Sequence, residues 1–209
     1  MNLFHEFLKG GIIMWPILIL SIIAMAITIE KYWALKKVKK NFDIFMPKLN
    51  ELVKQNELTA AVNLCKVDKS PAANIFYEGF RKLKFGYERT SEAMEYAGKK
   101  EIAVLEKGLS ILADIAGAAP MLGFLGTVTG LTGAFQLIEK LQGAVGPGDL
   151  AGGIYEALIT TIFGLIVGIP VLIVYNQIIE KIKKIVLDIE YHVNEILDMI
   201  VERNSNFKK

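Results

Sequence analysis

Apolar residues in this chain fall into blocks instead of mixing evenly with polar ones. Three stretches carry no charged residue: Gly10–Ile29, Ile115–Ile138 and Ala157–Ile179, of 20, 24 and 23 residues. At 1.5 Å per residue, about 20 residues of helix cross a hydrocarbon layer ~30 Å thick. Only a helix satisfies its own backbone hydrogen bonds in lipid, so the pattern predicts three spanning helices. Pro16 and Pro120 lie near span starts, and Pro170 implies a kink that neighbouring helices support.

Between the blocks the pattern changes. Residues 41–112 read as helices, broken most clearly at Gly86 and at Ser70-Pro71, a serine N-cap followed by proline at the first helical position. Gly98, Ile102, Leu105, Leu109, Leu112 and Ala116 form a row spaced 4-3-4-3-4 that leads into the second span. Ile182, Val186, Ile189, Val193, Ile196 and Ile200 form a matching row leaving the third. Both are bundle seams, predicting spans two and three as long straight helices that continue outside the membrane. Core packing within one chain and contact between copies explain these rows equally well.

Charge sets the topology. Lys and Arg number 1 in residues 1–30, 16 in 31–112, 1 in 139–153 and 6 in 180–209. The flanks weigh most, and Lys31, Lys36, Lys37, Lys39 and Lys40 after span one agree with Lys99, Lys100 and Lys107 before span two. The long loop and the C-terminus are therefore expected inside. Ala24-Met25-Ala26 imitates a signal-peptide cleavage site but lies within a run too long for one, behind an n-region holding only Lys9. Apolar residues make up 53% of the chain, and the net charge of +2 sums over two sides of a membrane. Cys65, the single cysteine, excludes an intrachain disulfide and reads as a small buried residue. No basic run with interleaved aromatics suggests nucleic acid.

Catalytic and metal constellations are missing from the pattern. The two histidines, His5 and His192, fall on opposite sides of the expected membrane. Ala119, Gly123, Gly126, Gly130, Gly133 and Ala134, with Gly164 and Gly168, place small residues at three- and four-residue spacing, which lets helix backbones approach closely. A pore wall is compatible with that packing. Glu156 stands at the outer edge of span three, where a carboxylate either snorkels to the interface or serves an ion. With Thr160 one turn further in, Thr161 beside it and Thr127 on span two, it suggests a polar stripe and a path for an ion. Single threonines usually bond their own helix, so the grouping carries the reading. No carboxylate or histidine sits mid-span, so the titrating group of a proton-driven device must come from a partner helix.

Spans two and three resemble the MotA/TolQ/ExbB proton-channel family. The matching residues are Ala119-Pro120 through Gly130, with Gly126-Thr127-Val128, and Ile154-Tyr155-Glu156-Ala157-Leu158 through Thr160-Thr161, Gly164-Leu165, Ile169-Pro170 and Tyr175-Asn176. Three spans and a large first inside loop favour the ExbB/TolQ branch over the four-span flagellar branch. The resemblance implies a ring of five copies in the bacterial inner membrane around two helices of an ExbD- or TolR-like single-span partner. That partner's membrane aspartate would carry the proton. Thr127 and Thr161 would face it, with Glu156 near the ion's route and the ring interior lined by spans two and three. Force would pass to a TonB- or TolA-like protein. Thr160 departs from the alanine usual in many such chains; its hydroxyl either helps coordinate sodium or bonds the backbone.

On this reading residues 1–9 are a periplasmic N-terminus and 10–30 the first span. Residues 31–112 form a cytoplasmic helical domain, 113–138 the second span and 139–153 a periplasmic loop. The third span covers 154–179, and 180–209 is a cytoplasmic C-terminal helix. Pore-wall and packing positions are Pro120, Gly123, Gly126, Gly130, Gly164, Gly168 and Pro170. The fold expected is an all-α membrane protein with spans two and three extended into a cytoplasmic bundle, and the function an ExbB-like motor subunit serving TonB-dependent transport. A TolQ-like role in envelope maintenance and a non-conducting scaffold are the alternatives, with a secondary transporter third.

Overall fold

The computed structural model describes residues 3–144 and 146–206, with side chains over 6–144 and 146–202. Met1, Asn2, Val145 and residues 207–209, parts of the expected terminal and loop segments, lie outside the described residues, as does the His5 side chain. Every regular element among the described residues is helical. In order they are α1 (Leu3–Lys9), α2 (Met14–Lys54), α3 (Leu58–Asp68), α4 (Pro71–Phe80), a short 3-10 turn (Leu83–Phe85), α5 (Tyr87–Glu106), α6 (Leu109–Lys140) and α7 (Pro147–Asn206). Three of them, α2, α6 and α7, are long and apolar enough to cross a membrane.

Several details differ from the sequence expectation. The first uncharged run is not helical from its start: Gly11 takes φ +67° and α2 begins at Met14. Once started, α2 runs 41 residues, well past the lysine cluster. The row expected to lead into span two is divided between two helices, because Lys107 leaves helical geometry and Gly108 adopts φ +85°. A glycine in the left-handed region after the last helical turn is a standard helix stop. The row leaving span three does lie on one helix, since α7 is continuous for 60 residues.

The chain divides into two compact units, one made of residues 1–30 and 108–177 and the other of 31–107 and 178–209. The second unit holds the charged segments. Its core collects Phe45, Leu49 and Val53 of α2, Cys65 of α3, Phe76 and Phe80 of α4, Met94 of α5, and Ile182, Ile189 and Ile196 of α7. Leu35, Phe42, Phe45, Met46, Leu49 and Val53 are all buried and share one face of α2, a face that a lysine-rich surface obscures in the sequence. Lys31, only 8% exposed, lies one turn before that row and donates from Nζ to the carbonyl of Leu105, 3.1 Å away in the last turn of α5. A cation at a helix C-terminus meets unsatisfied carbonyls and the negative end of the helix dipole.

Ser70 caps α4 as its sequence suggests, its Oγ accepting from the Ala73 N–H at 3.3 Å with Pro71 next in line. Burial, reinforced by the nearby Asp68 carboxylate, pushes the Cys65 thiol up to about 12 from 9.0. The thiolate is the reactive form. Cys65 in the folded protein is therefore expected to resist maleimide at pH 8 for hours and to react fully once denatured; rapid native labelling would contradict its burial. The sign for stability follows. The native state holds this proton above pH 9 while the unfolded chain releases it, so the contribution is complete below pH 9 and is lost as pH rises towards 12.

Candidate functional site

The first unit contains α1, the start of α2, α6 and the first half of α7. Its core is a seam of small residues. A Cβ built on Gly164 would lie 2.6 Å from the Ala119 carbonyl oxygen and 3.0 Å from the Gly123 Cα. One on Gly123 would lie 2.9 Å from the Thr160 carbonyl oxygen, and one on Gly130 2.7 Å from that of Gly153. Gly168 makes room for the Pro120 ring, whose Cγ lies 2.5 Å from such a Cβ. At Gly164, Gly123 and Gly130 the close neighbours are backbone atoms, so an added side chain would push the helices apart. By contrast, nothing lies within 4 Å of a Cβ on Gly117 or Gly133.

The expected polar stripe separates on this seam. Thr160 is fully buried, its side chain filling the space left by Gly126, and its hydroxyl donates within α7 to the carbonyls of Glu156 (3.0 Å) and Ala157 (2.9 Å). Thr127 and Thr161 instead meet, their Oγ1 atoms 2.5 Å apart. Thr161 Oγ1 lies 3.0 Å from the Gly123 carbonyl oxygen across the seam, and Thr127 Oγ1 lies 3.3 Å from that of Ala157. Glu156 joins neither group: its carboxylate lies against Gly11. At about 100° per residue, Glu156 and Thr161 stand about 140° apart around the helix. They lie towards opposite edges of the seam, with Thr160 between them.

Open apolar surface surrounds the threonine pair. Phe124 and Leu131, one turn either side of Thr127, are 66% and 39% exposed, while Leu158 and Leu165 beside Thr161 are 58% and 42% exposed. Two hydroxyls share two hydrogens: one closes the link between the oxygens, and the other serves the Gly123 or Ala157 carbonyl. Lone pairs remain to accept from a protonated carboxyl or to bind a cation. Rotating one hydroxyl lets it donate to a carboxylate instead.

Around α1 and the start of α7 lies a cluster that the sequence reading missed. The Tyr155 hydroxyl donates to the Glu6 carboxylate, Lys9 Nζ lies 3.9 Å from Glu6 Oε1, and the same ammonium sits 5.0 Å above the Tyr155 ring. The signal was an amphipathic segment ahead of Gly10-Gly11, hidden by counting Gly10 into the span. Among the described residues no group of His, Cys, Asp and Glu could hold a metal ion.

Comparison with known proteins agrees with these motifs. Residues 67–191 match the MotA/TolQ/ExbB proton channel family. The chain is 33% identical to an ExbB-like biopolymer transport protein of Synechocystis over 85% of its own length and 71% of that protein. It is 30% identical to an ExbB homolog of Methanothermobacter thermautotrophicus, covering 94% of this chain and 76% of that one. Against the Tol-Pal system protein TolQ of Haemophilus influenzae it is 26% identical, over 96% and 94% of the two chains. Three helices able to span a bilayer, together with these matches, make the chain a multi-pass membrane protein that belongs to the MotA/TolQ/ExbB proton channel family, on its ExbB/TolQ branch.

Proposed function

We propose that this chain is an ExbB-like subunit of an ion-driven motor in the bacterial inner membrane, with its N-terminus periplasmic and its C-terminus cytoplasmic. Five copies ring two helices of an ExbD- or TolR-like partner, and ion flow moves ring and partner relative to each other. Force then reaches a TonB-like protein and drives outer-membrane transport. The observation that carries this reading is the Thr127–Thr161 hydroxyl pair, set in open apolar surface of spanning helices. Polar groups at such a place call for a polar partner, because lipid offers none.

The partner's aspartate supplies the proton-carrying group that these spans lack. When protonated it donates to the threonine pair; when ionised it accepts from a rotated hydroxyl. The Thr160 side chain is fully buried against Gly126, which withholds its oxygen from a passing cation and favours a proton over sodium. Glu156 belongs to the outer part of the route. The identities of 33% and 30% to ExbB-named relatives, against 26% to TolQ, favour the ExbB-like role over a TolQ-like one in envelope maintenance. A non-conducting scaffold would use the glycine seam alike but give the threonine pair no task.

Co-expression with the single-span partner tests the reading. Native mass spectrometry is expected to give five copies of this chain to two of the partner, and reconstituted vesicles an acid-driven proton flux. Replacing the partner's membrane aspartate with asparagine should remove that flux and keep the assembly. An intact complex without flux would leave only the scaffold, and flux that ignores the aspartate would overturn its role as the proton carrier.

A further inference from the structure

The acid at the outer end of α7 is held in place by a separate element. Gly11 takes φ +67°, and a Cβ built there would collide with Glu156 Oε1, so this bend is open only because it carries no side chain. Next to it Gly10 is buried, and a Cβ there would press on Met14 and lie 2.9 Å from Ile159 Cγ2, one turn along α7 from Glu156. Preceding this bend, α1 is fastened to α7 on two sides. On the polar side are the Tyr155–Glu6 hydrogen bond and Lys9, which neighbours both groups. On the apolar side Phe7 meets Phe163 edge-on with centroids 6.4 Å apart, and Trp15 at 5.5 Å. Residues 155, 156, 159 and 163 together form one flank of α7, and α1 with its bend covers that flank.

We infer that α1 and the Gly10-Gly11 bend form a strap that positions the Glu156 carboxylate, with Gly11, Glu6 and Tyr155 as positioning residues for the outer part of the ion route. The inference rests on the reading of Glu156 as part of that route. The glycine leaves space for the carboxylate, and the polar fastening fixes the strap that shapes this space. Phe7 keeps the strap on the helix when the polar contacts exchange with water. The turn of α7 sets Glu156 on the flank away from the Thr127–Thr161 pair, and the strap holds its carboxylate there.

The test uses the whole chain assembled with its partner in vesicles and reads two quantities. The first is labelling of Glu156 by dicyclohexylcarbodiimide, measured by peptide mass spectrometry at fixed pH and time. Gly11→Ala should raise labelling severalfold by displacing the carboxylate, with Glu6→Gln and Phe7→Ala moving it the same way to a smaller extent. Should Gly11→Ala alone disturb assembly, the other two variants still decide. Unchanged labelling in all three would overturn the strap. The second quantity is proton flux, expected to fall about tenfold in Gly11→Ala and to show no further loss when Glu156→Gln is already present. An equal extra loss in that background would make the strap merely structural and overturn its positioning role. If labelling rises while Glu156→Gln keeps full flux, the strap stands and the place of Glu156 in the route falls.

Discussion

Gly164→Leu is expected to destroy the packed spanning unit, leaving a chain that aggregates on extraction and shows no cooperative melting. A Cβ at this position would meet the Ala119 carbonyl oxygen at 2.6 Å and the Gly123 Cα at 3.0 Å. Both are backbone atoms of α6, so no side chain can rotate to make room. Overpacking a core by a methylene or two costs typically 1–3 kcal/mol, and a rigid backbone wall puts this case at about the upper end or beyond. Against a total stability of roughly 5–15 kcal/mol, a loss above about 4 kcal/mol removes most of the margin. Gly164→Ala should lower the melting temperature in detergent measurably without abolishing the fold. Gly133→Ala is the control, because nothing in the chain lies near its Cβ. It should melt like wild type or slightly above, alanine being the better helix former. Equal melting of Gly164→Leu and wild type would remove the seam from the account. A Gly133→Ala variant that folds but fails to assemble would place another chain against that face.

The second large effect separates three threonines that look alike in the sequence. Thr127→Val with Thr161→Val is expected to cut proton flux and force-dependent uptake at least about tenfold, roughly 1.4 kcal/mol in the barrier, with the assembly intact. Valine keeps the shape and removes only the hydroxyl. The carbonyls of Gly123 and Ala157 keep their helical partners, so the cost in stability should stay near 1 kcal/mol per hydrogen bond. Thr160→Val, by contrast, removes a hydroxyl already committed to the Glu156 and Ala157 carbonyls and should leave flux unchanged. Flux lost in Thr160→Val and kept in the double variant would move the ion path to the other side of the seam. Sodium-dependent flux restored by higher sodium would favour the alternative ion.

Much of this was legible beforehand. Charge-free runs gave three helices long and apolar enough to cross a membrane, Ser70-Pro71 gave the start of α4, and glycine spacing gave the close approach of α6 and α7. The matched motifs singled out Thr127 and Thr161 as facing a partner's aspartate; their contact with each other comes from the structure alone. The single stripe was not legible, although five residues at 100° each already place Glu156 and Thr161 about 140° apart. Sequence proximity outweighed helical angle there. Gly108 carried a usable signal too, a glycine just behind Glu106-Lys107, but the apolar row ran through it without a gap in register. The Gly10-Gly11 bend was hidden for a physical reason: lack of charge marks what lipid tolerates and says nothing about backbone direction. Glu6 and Lys9 set α1 apart from the span that follows, and contact with α7 shows where the chain turns.

Lys31 gains a second meaning when the chain is considered as it is being made. Its carbonyl partner Leu105 lies 74 residues later. At roughly 5–20 residues per second, that carbonyl arrives on the order of 4–15 seconds after the lysine leaves the peptidyl-transferase centre. During this interval the ammonium is a hydrated charge at the end of the first span, the kind of group that fixes which way a helix enters the bilayer. Only after α5 exists can it be buried as a helix cap. One side chain therefore stands first where charge acts on a nascent helix and later closes the finished fold, and a neutral replacement is expected to disturb the two steps at different times in the life of the protein.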